Sequence, residues 1–203
     1  MIKLFNEKPI GELFRLNDDN IIQELNSYKD IETADSEKFS ETIYLKFKIE
    51  VPIIKITETK VIPAMEGRPG SSFNSSVFAD PNKMYQVAVV TYSIPYIGDG
   101  KLFSCQPNQF SAWSYYAWTE NGHLNFKIYT EYASIDLSEE IRKNVISQAQ
   151  YITDKIKLNL EILIKDCTQY NSSLKFKVKT EIENRKLNIN KMNDLKDRLN
   201  PFK

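Results

Sequence analysis

Three residues in this chain belong to the types that most often centre a reaction or bind zinc: His123, Cys105 and Cys167. Nucleophilic catalysis through an imidazole base would have to use His123. That histidine follows a predicted turn glycine on the polar arm of a strand, where it reads as a solvated turn residue. Zinc asks for several Cys or His at fixed spacings, and the two cysteines sit far apart with no such pattern. The glycines at 67, 70, 98 and 100 fit neither phosphate-cradling fingerprint. Glu58-Thr59-Lys60 and Asp99-Gly100-Lys101 match the acid-x-Lys half of a metal-dependent nuclease core. However, no Pro-Asp pair precedes Glu58, and Asp99 falls in a turn. No catalytic residue, no metal ligand and no cofactor are therefore expected. A cryptic metal nuclease using Glu58 and Lys60 is retained as an alternative.

Binding chemistry has better candidates. Residues 63–82 and 98–110 are rich in turn-forming types and carry no periodicity, so they are expected to be loops. Binding residues concentrate on loops held by a rigid scaffold. Arg68, Asp99 and Phe103 are the candidate binding residues on these segments. Aromatic side chains are plentiful from Phe103 to Tyr132, Phe110 among them, and are expected mainly to pack. One outward face, Ser114, Tyr116 and Trp118, is left free for a partner.

The positioning elements follow from periodicity. Asp18 and Asp19 precede Ile21, Ile22 and Leu25, which predicts a short helix ending near Tyr28, with a loop over 29–41. Ile43, Leu45, Phe47, Ile49, Val51 and Ile53 alternate with polar residues, which predicts a strand. Tyr85–Ile94 is apolar on both faces and reads as a central strand. Asn121-Gly122 between two alternating runs signals a hairpin with a type I′ turn, with Leu124, Phe126 and Ile128 facing in. Asp136 and Glu139 predict a capping box. From Ile141 through Val145, Ala149, Ile152, Ile156, Leu160 and Leu163 to Cys167 the steps are three and four, the stripe of a long helix. Asn171-Ser172-Ser173 then predicts a break. Beyond it lies a second helix through Ile189, with a strand over 174–179 as an alternative, and a third, short one stopped by Pro201. The expected class is α+β: a mostly antiparallel sheet with an Asn-Gly hairpin, followed by a long C-terminal helical hairpin. One domain over 1–203 is expected, with strands and loops over 18–132 and helices over 136–200.

Lys+Arg and Asp+Glu both number 27, so the formal net charge is zero. Nucleic-acid binders draw most of their affinity from a basic excess, so charge does not support that partner. The first residues hold charges at Lys3, Glu7 and Lys8 and no apolar run, which predicts no signal peptide. No run of apolar residues is long enough for a membrane helix. A cytoplasmic protein with two free thiols is expected.

One order of motifs is familiar. Ile94-Pro95-Tyr96, Gly98-Asp99, Leu102-Phe103, then Pro107 and Phe110, followed by a hairpin and a long helix, resembles the N-terminal half of a family of uncharacterised bacterial proteins. The similarity runs from about 18 to 202 and includes Asn171-Ser172-Ser173 and the charged stretch 183–186. Members of that family continue into a nuclease-like domain of the restriction-endonuclease type. The resemblance implies a non-catalytic sensing or recognition module of bacterial antiviral defence, coupled to a nuclease-type effector in the same chain or in a partner protein. The alternative is an assembly protein that forms homodimers through the 137–189 helices.

Overall fold

The computed structural model of the chain describes residues 1–28, 31–73, 79–109 and 113–200. Phe110, the 74–78 part of the expected loop and Pro201 lie outside the described residues. In chain order the elements are β1 (Ile2–Lys3), β2 (Lys8–Pro9), α1 (Ile10–Ser27), α2 (Ser36–Phe47), β3 (Ile53–Ile54), β4 (Lys60–Pro69), β5 (Met84–Ile97), β6 (Cys105–Gln106), β7 (Tyr116–Glu120), β8 (His123–Tyr129) and α3 (Glu139–Leu199).

The hairpin forms as its turn chemistry requires. Asn121 and Gly122 take φ values of 49° and 73°, the left-handed pair that a type I′ turn needs. That turn sets the register of β7 on β8, with Ala117 opposite Phe126 and Thr119 opposite Leu124. Directly opposed residues share a face, so Ala117, Leu124, Phe126 and Ile128 point together and are fully buried. The central strand is β5, which is 14 residues long. It pairs antiparallel with β8 on one side and with β4 and β3 on the other. β1 adds to the far edge against β7. A separate two-stranded parallel pair joins β2 to β6.

Four expectations are corrected here. Residues 43–47 are helix, not strand. Ile43 and Phe47 fit an alternating pattern, but they also continue a helical face with Phe39 and Ser40, which are buried with Ile43. Leu45, which the strand reading would bury, is exposed. Asp35 caps this helix by accepting from the Glu37 and Lys38 backbone N–H groups. Segment 18–132 therefore holds two helices, and the first begins at Ile10 rather than at Asp18. The stretch from Pro63 to Pro69 is strand. Pro63 and Pro69 lack ladder donors, and β4 tolerates them because it has β5 on one side only, the position where proline is accepted.

The fourth correction concerns the helical part. It is one helix of 61 residues, with no turn at Asn171-Ser172-Ser173 and no strand over 174–179. Its buried stripe runs straight through the supposed break, from Cys167 to Tyr170, Leu174, Val178 and Ile182. The break-forming side chains are occupied otherwise. Ser172 and Ser173 donate back to the Gln169 and Tyr170 carbonyls at 2.8 Å each, a bond that hydroxyls make inside helices. Asn171 accepts from the Ile49 N–H at 3.0 Å and donates to the Ile49 carbonyl at 2.9 Å. At the start of the helix Ser138, not Asp136, is the cap, its hydroxyl accepting from Ile141 N–H.

α3 thereby serves two cores. Its first half, Val145 to Cys167, packs on the sheet with Val90, Ile94, Leu124 and Phe126. Its second half, Tyr170 to Ile182, packs with Ile21 and Leu25 of α1 and with Phe39 and Ile43 of α2. The class is α+β, with a mostly antiparallel sheet and a long C-terminal helix. Among the described residues, no helix is long and apolar enough to cross a membrane.

Candidate functional site

The residues nominated from sequence do not form one site. Phe103 is completely buried, its ring edge-on to Tyr96 at 5.0 Å and to Phe5 at 6.5 Å. Asp99 is exposed and caps the short helical turn 100–104, accepting from Lys101 N–H at 2.9 Å. Arg68 sits far from both. It is paired with Tyr85 near the start of β5, whereas Asp99 and Phe103 follow the end of that strand. Twelve residues of strand separate the two ends by roughly 40 Å.

Around Arg68 the structure does build a cleft, of about 680 Å³, within the range of small-molecule sites. β4 brings Arg68 to one wall. β8 ends there with Tyr129, and the chain then bulges. The Ala88 carbonyl accepts from Thr130 N–H at 3.0 Å, while Ala88 N–H donates to the Tyr132 carbonyl at 2.8 Å. Ala88 thus faces both residue 130 and residue 132, the kind of irregularity that re-aims side chains beside binding sites. Thr130 fixes the bulge by donating its hydroxyl to the Ala88 carbonyl at 2.8 Å. The opposite wall is the first turns of α3, where Glu140, Asn144 and Gln148 line the opening.

The guanidinium of Arg68 is held between two rings, 5.2 Å from the centroids of both Phe73 and Tyr129, and donates to the Ser72 carbonyl. Cation–π contacts of this kind fix a charge without neutralising it. Tyr129 donates to Glu66 at 3.5 Å, and Glu66 pairs with Lys127. These bonds bridge over β5, whose Val87 and Val89 are buried. Tyr115 donates to the Lys127 carbonyl at 2.8 Å, and burial, with the nearby Tyr129 hydroxyl, pushes its own hydroxyl pKa up. On α3, Gln148 Nε2 donates to Asn144 Oδ1 at 3.0 Å. A shallower pocket adjoins the cleft at Tyr115 and Tyr129 and includes Ser114, Tyr116 and Trp118, the outward face singled out from sequence. Lys127 lies 5.6 Å above the Trp118 ring.

The nuclease-like triplets are differently disposed. Glu58 ends a short helical turn and pairs with Lys55 at 3.7 Å, and Lys60 opens β4 as an exposed residue opposite Ser93. Among the described residues no group of three His, Cys, Asp or Glu is placed to hold a metal ion. Both cysteines are buried, and burial pushes the Cys105 thiol up to about 11 and the Cys167 thiol up to about 12. Such thiols are poor nucleophiles. The cleft thus offers stacking surfaces, one fixed cation, carboxylates and amides, which is equipment for holding a ligand. Sequence reasoning found Arg68 but missed Tyr129, Tyr132, Asn144 and Gln148. The last two lie on the exposed side of a helix that was read for its buried stripe. Compared with known proteins, the chain matches no family model, no curated protein and no solved structure.

Proposed function

We propose that this chain is a non-catalytic recognition module whose ligand sits in the cleft between Arg68, the end of β8 and the first turns of α3. The observation that carries this reading is the pre-set Arg68 guanidinium, stacked between Phe73 and Tyr129 at the mouth of a ligand-sized cleft. The resemblance over residues 18–202 supports a place in bacterial defence, with the ligand signal passed to a nuclease-type effector. A cytoplasmic setting agrees with two unpaired cysteines, since thiols persist in reducing compartments. The test replaces Arg68→Gln in the full-length native protein and measures the defence response in cells. Loss of response with an unchanged melting temperature is the expected result; a full response would overturn the assignment.

A second reading, self-association, is favoured by one observation. The stripe from Val145 to Ile182 is consumed by the protein's own cores, but Met192, Leu195 and Leu199 are exposed at steps of three and four, a short seam for a second helix. Leu195→Glu with Leu199→Glu converts a dimer to a folded monomer in light scattering on this reading. An unchanged mass would remove it.

A further inference from the structure

Resting on the cleft as the recognition site, we infer that its ligand is a free nucleoside phosphate. Three kinds of group converge there, and each matches one part of such a molecule. The first is aromatic: Tyr115, Tyr129 and Tyr132 line the cleft, and tyrosine rings stack on the flat face that every base presents. The second is a paired amide. Gln148 donates Nε2 to Asn144 Oδ1 at 3.0 Å. That bond leaves Asn144 Nδ2 as a donor and Gln148 Oε1 as an acceptor on residues four apart that both line the cleft. Bases carry the complementary acceptor and donor on neighbouring edge atoms, which is why Asn and Gln read them. The third is a separated pair of charges. Arg68 is a fixed cation, and a guanidinium has N–H donors beyond the one committed to Ser72 with which to fork onto a phosphate. Glu140, on the first turn of α3, provides a carboxylate for sugar hydroxyls, a role that acids fill in nucleotide sites.

The same charges select the free ligand over a strand. Among the described residues that line the cleft, Arg68 is the one cation, enough for one phosphate group, and the whole chain has no basic excess. A polyanion would gain little by lying across it.

The experiment is calorimetric titration of the full chain with AMP, GMP, CMP and UMP, each matched by its nucleoside, and with a single-stranded tetranucleotide. At least one monophosphate is expected to bind with micromolar affinity. Arg68→Gln should weaken it about tenfold or more, as loss of a charge-assisted fork does, and leave its nucleoside unaffected. Asn144→Ala with Gln148→Ala should weaken monophosphate and nucleoside alike. These three side chains lie outside both cores, and circular dichroism confirms the folded state of each variant. No binding of any monophosphate at millimolar concentration, binding indifferent to the variants, or tighter binding of the tetranucleotide would each overturn the inference. If Arg68→Gln still abolishes the cellular response in that event, the recognition reading stands and only the ligand class is wrong.

Discussion

At the scale of single residues, burial separates two of the three nominated side chains, Phe103 and the half-buried Arg68. Phe103 is closed into the core between Tyr96 and Phe5. Phe103→Ala is expected to cost about 3–5 kcal/mol, as truncation of a buried aromatic does, read as a lowered urea midpoint. Arg68→Gln should cost about 1 kcal/mol or less, the worth of cation–π contacts that solvent still reaches. Sequence could nominate both because both fall in turn-rich segments; it could not rank them, because burial depends on Phe5 and Tyr96, remote in the chain. The cysteines carry a pH signature. Burial lifts Cys105 from an ordinary 9.0 to about 11 and Cys167 to about 12. The native state then holds protons that the unfolded chain has shed, so their contribution is full below pH 9.0 and is lost as pH climbs toward the native values. Melting temperature should fall across that alkaline window, and Cys105→Ala with Cys167→Ala should make the fall shallower. Equal slopes would show that the thiols do not drive it.

At the scale of elements, the sequence was most legible where local chemistry decides the conformation. The Asn121-Gly122 turn needs two left-handed residues and has them, so the hairpin could be read directly. The 43–47 segment could not, because Ile43 and Phe47 satisfy a period of two and a period of 3.6 together, and only Phe39 and the Asp35 cap upstream tip the balance to helix. β4 was hidden by Pro63, Gly67 and Pro69, which an edge strand tolerates. The most misleading element was α3. Asn171 looked like a helix breaker and is instead a clamp on the Ile49 backbone, through one accepted and one donated bond. Asn171→Ala should leave the half-buried Ile49 N–H and carbonyl without those partners, at about 1–3 kcal/mol, with helix content by circular dichroism unchanged. A drop in helix content would mean that Asn171 holds the helix itself.

At the scale of the whole molecule, α3 is the piece of backbone common to the sheet core and the helical core. Contacts of α1 also reach both, since Ile10 belongs to the first and Ile21 to the second. Ser172 is exposed and lies near the junction of the two stretches of buried stripe, two residues past Tyr170. A proline there removes one helix bond and clashes with the preceding turn, about 3 kcal/mol or more, without touching either core. Ser172→Pro is therefore expected to split one cooperative urea transition into two, with tyrosine and tryptophan signals of the sheet persisting after helical circular dichroism has begun to fall. A single transition at a lower midpoint would show that α1 alone suffices to couple the cores. The α+β class and the long helix after the sheet were legible at this scale, but α1 and α2, which precede the main strands, broke the expected order of strands first and helices last. The run of that helix on through the second core was not legible, because a turn and a straight run differ only in what Asn171 finds to bond.

The length of α3 has a mechanical consequence. From Gln148 at the cleft to Leu199 the helix runs roughly 75 Å at its usual rise, and its last ten residues are exposed throughout. A stiff rod of that reach is a lever arm: a tilt of about 5° at the cleft end sweeps the tip through roughly 6–7 Å, more than one helical turn.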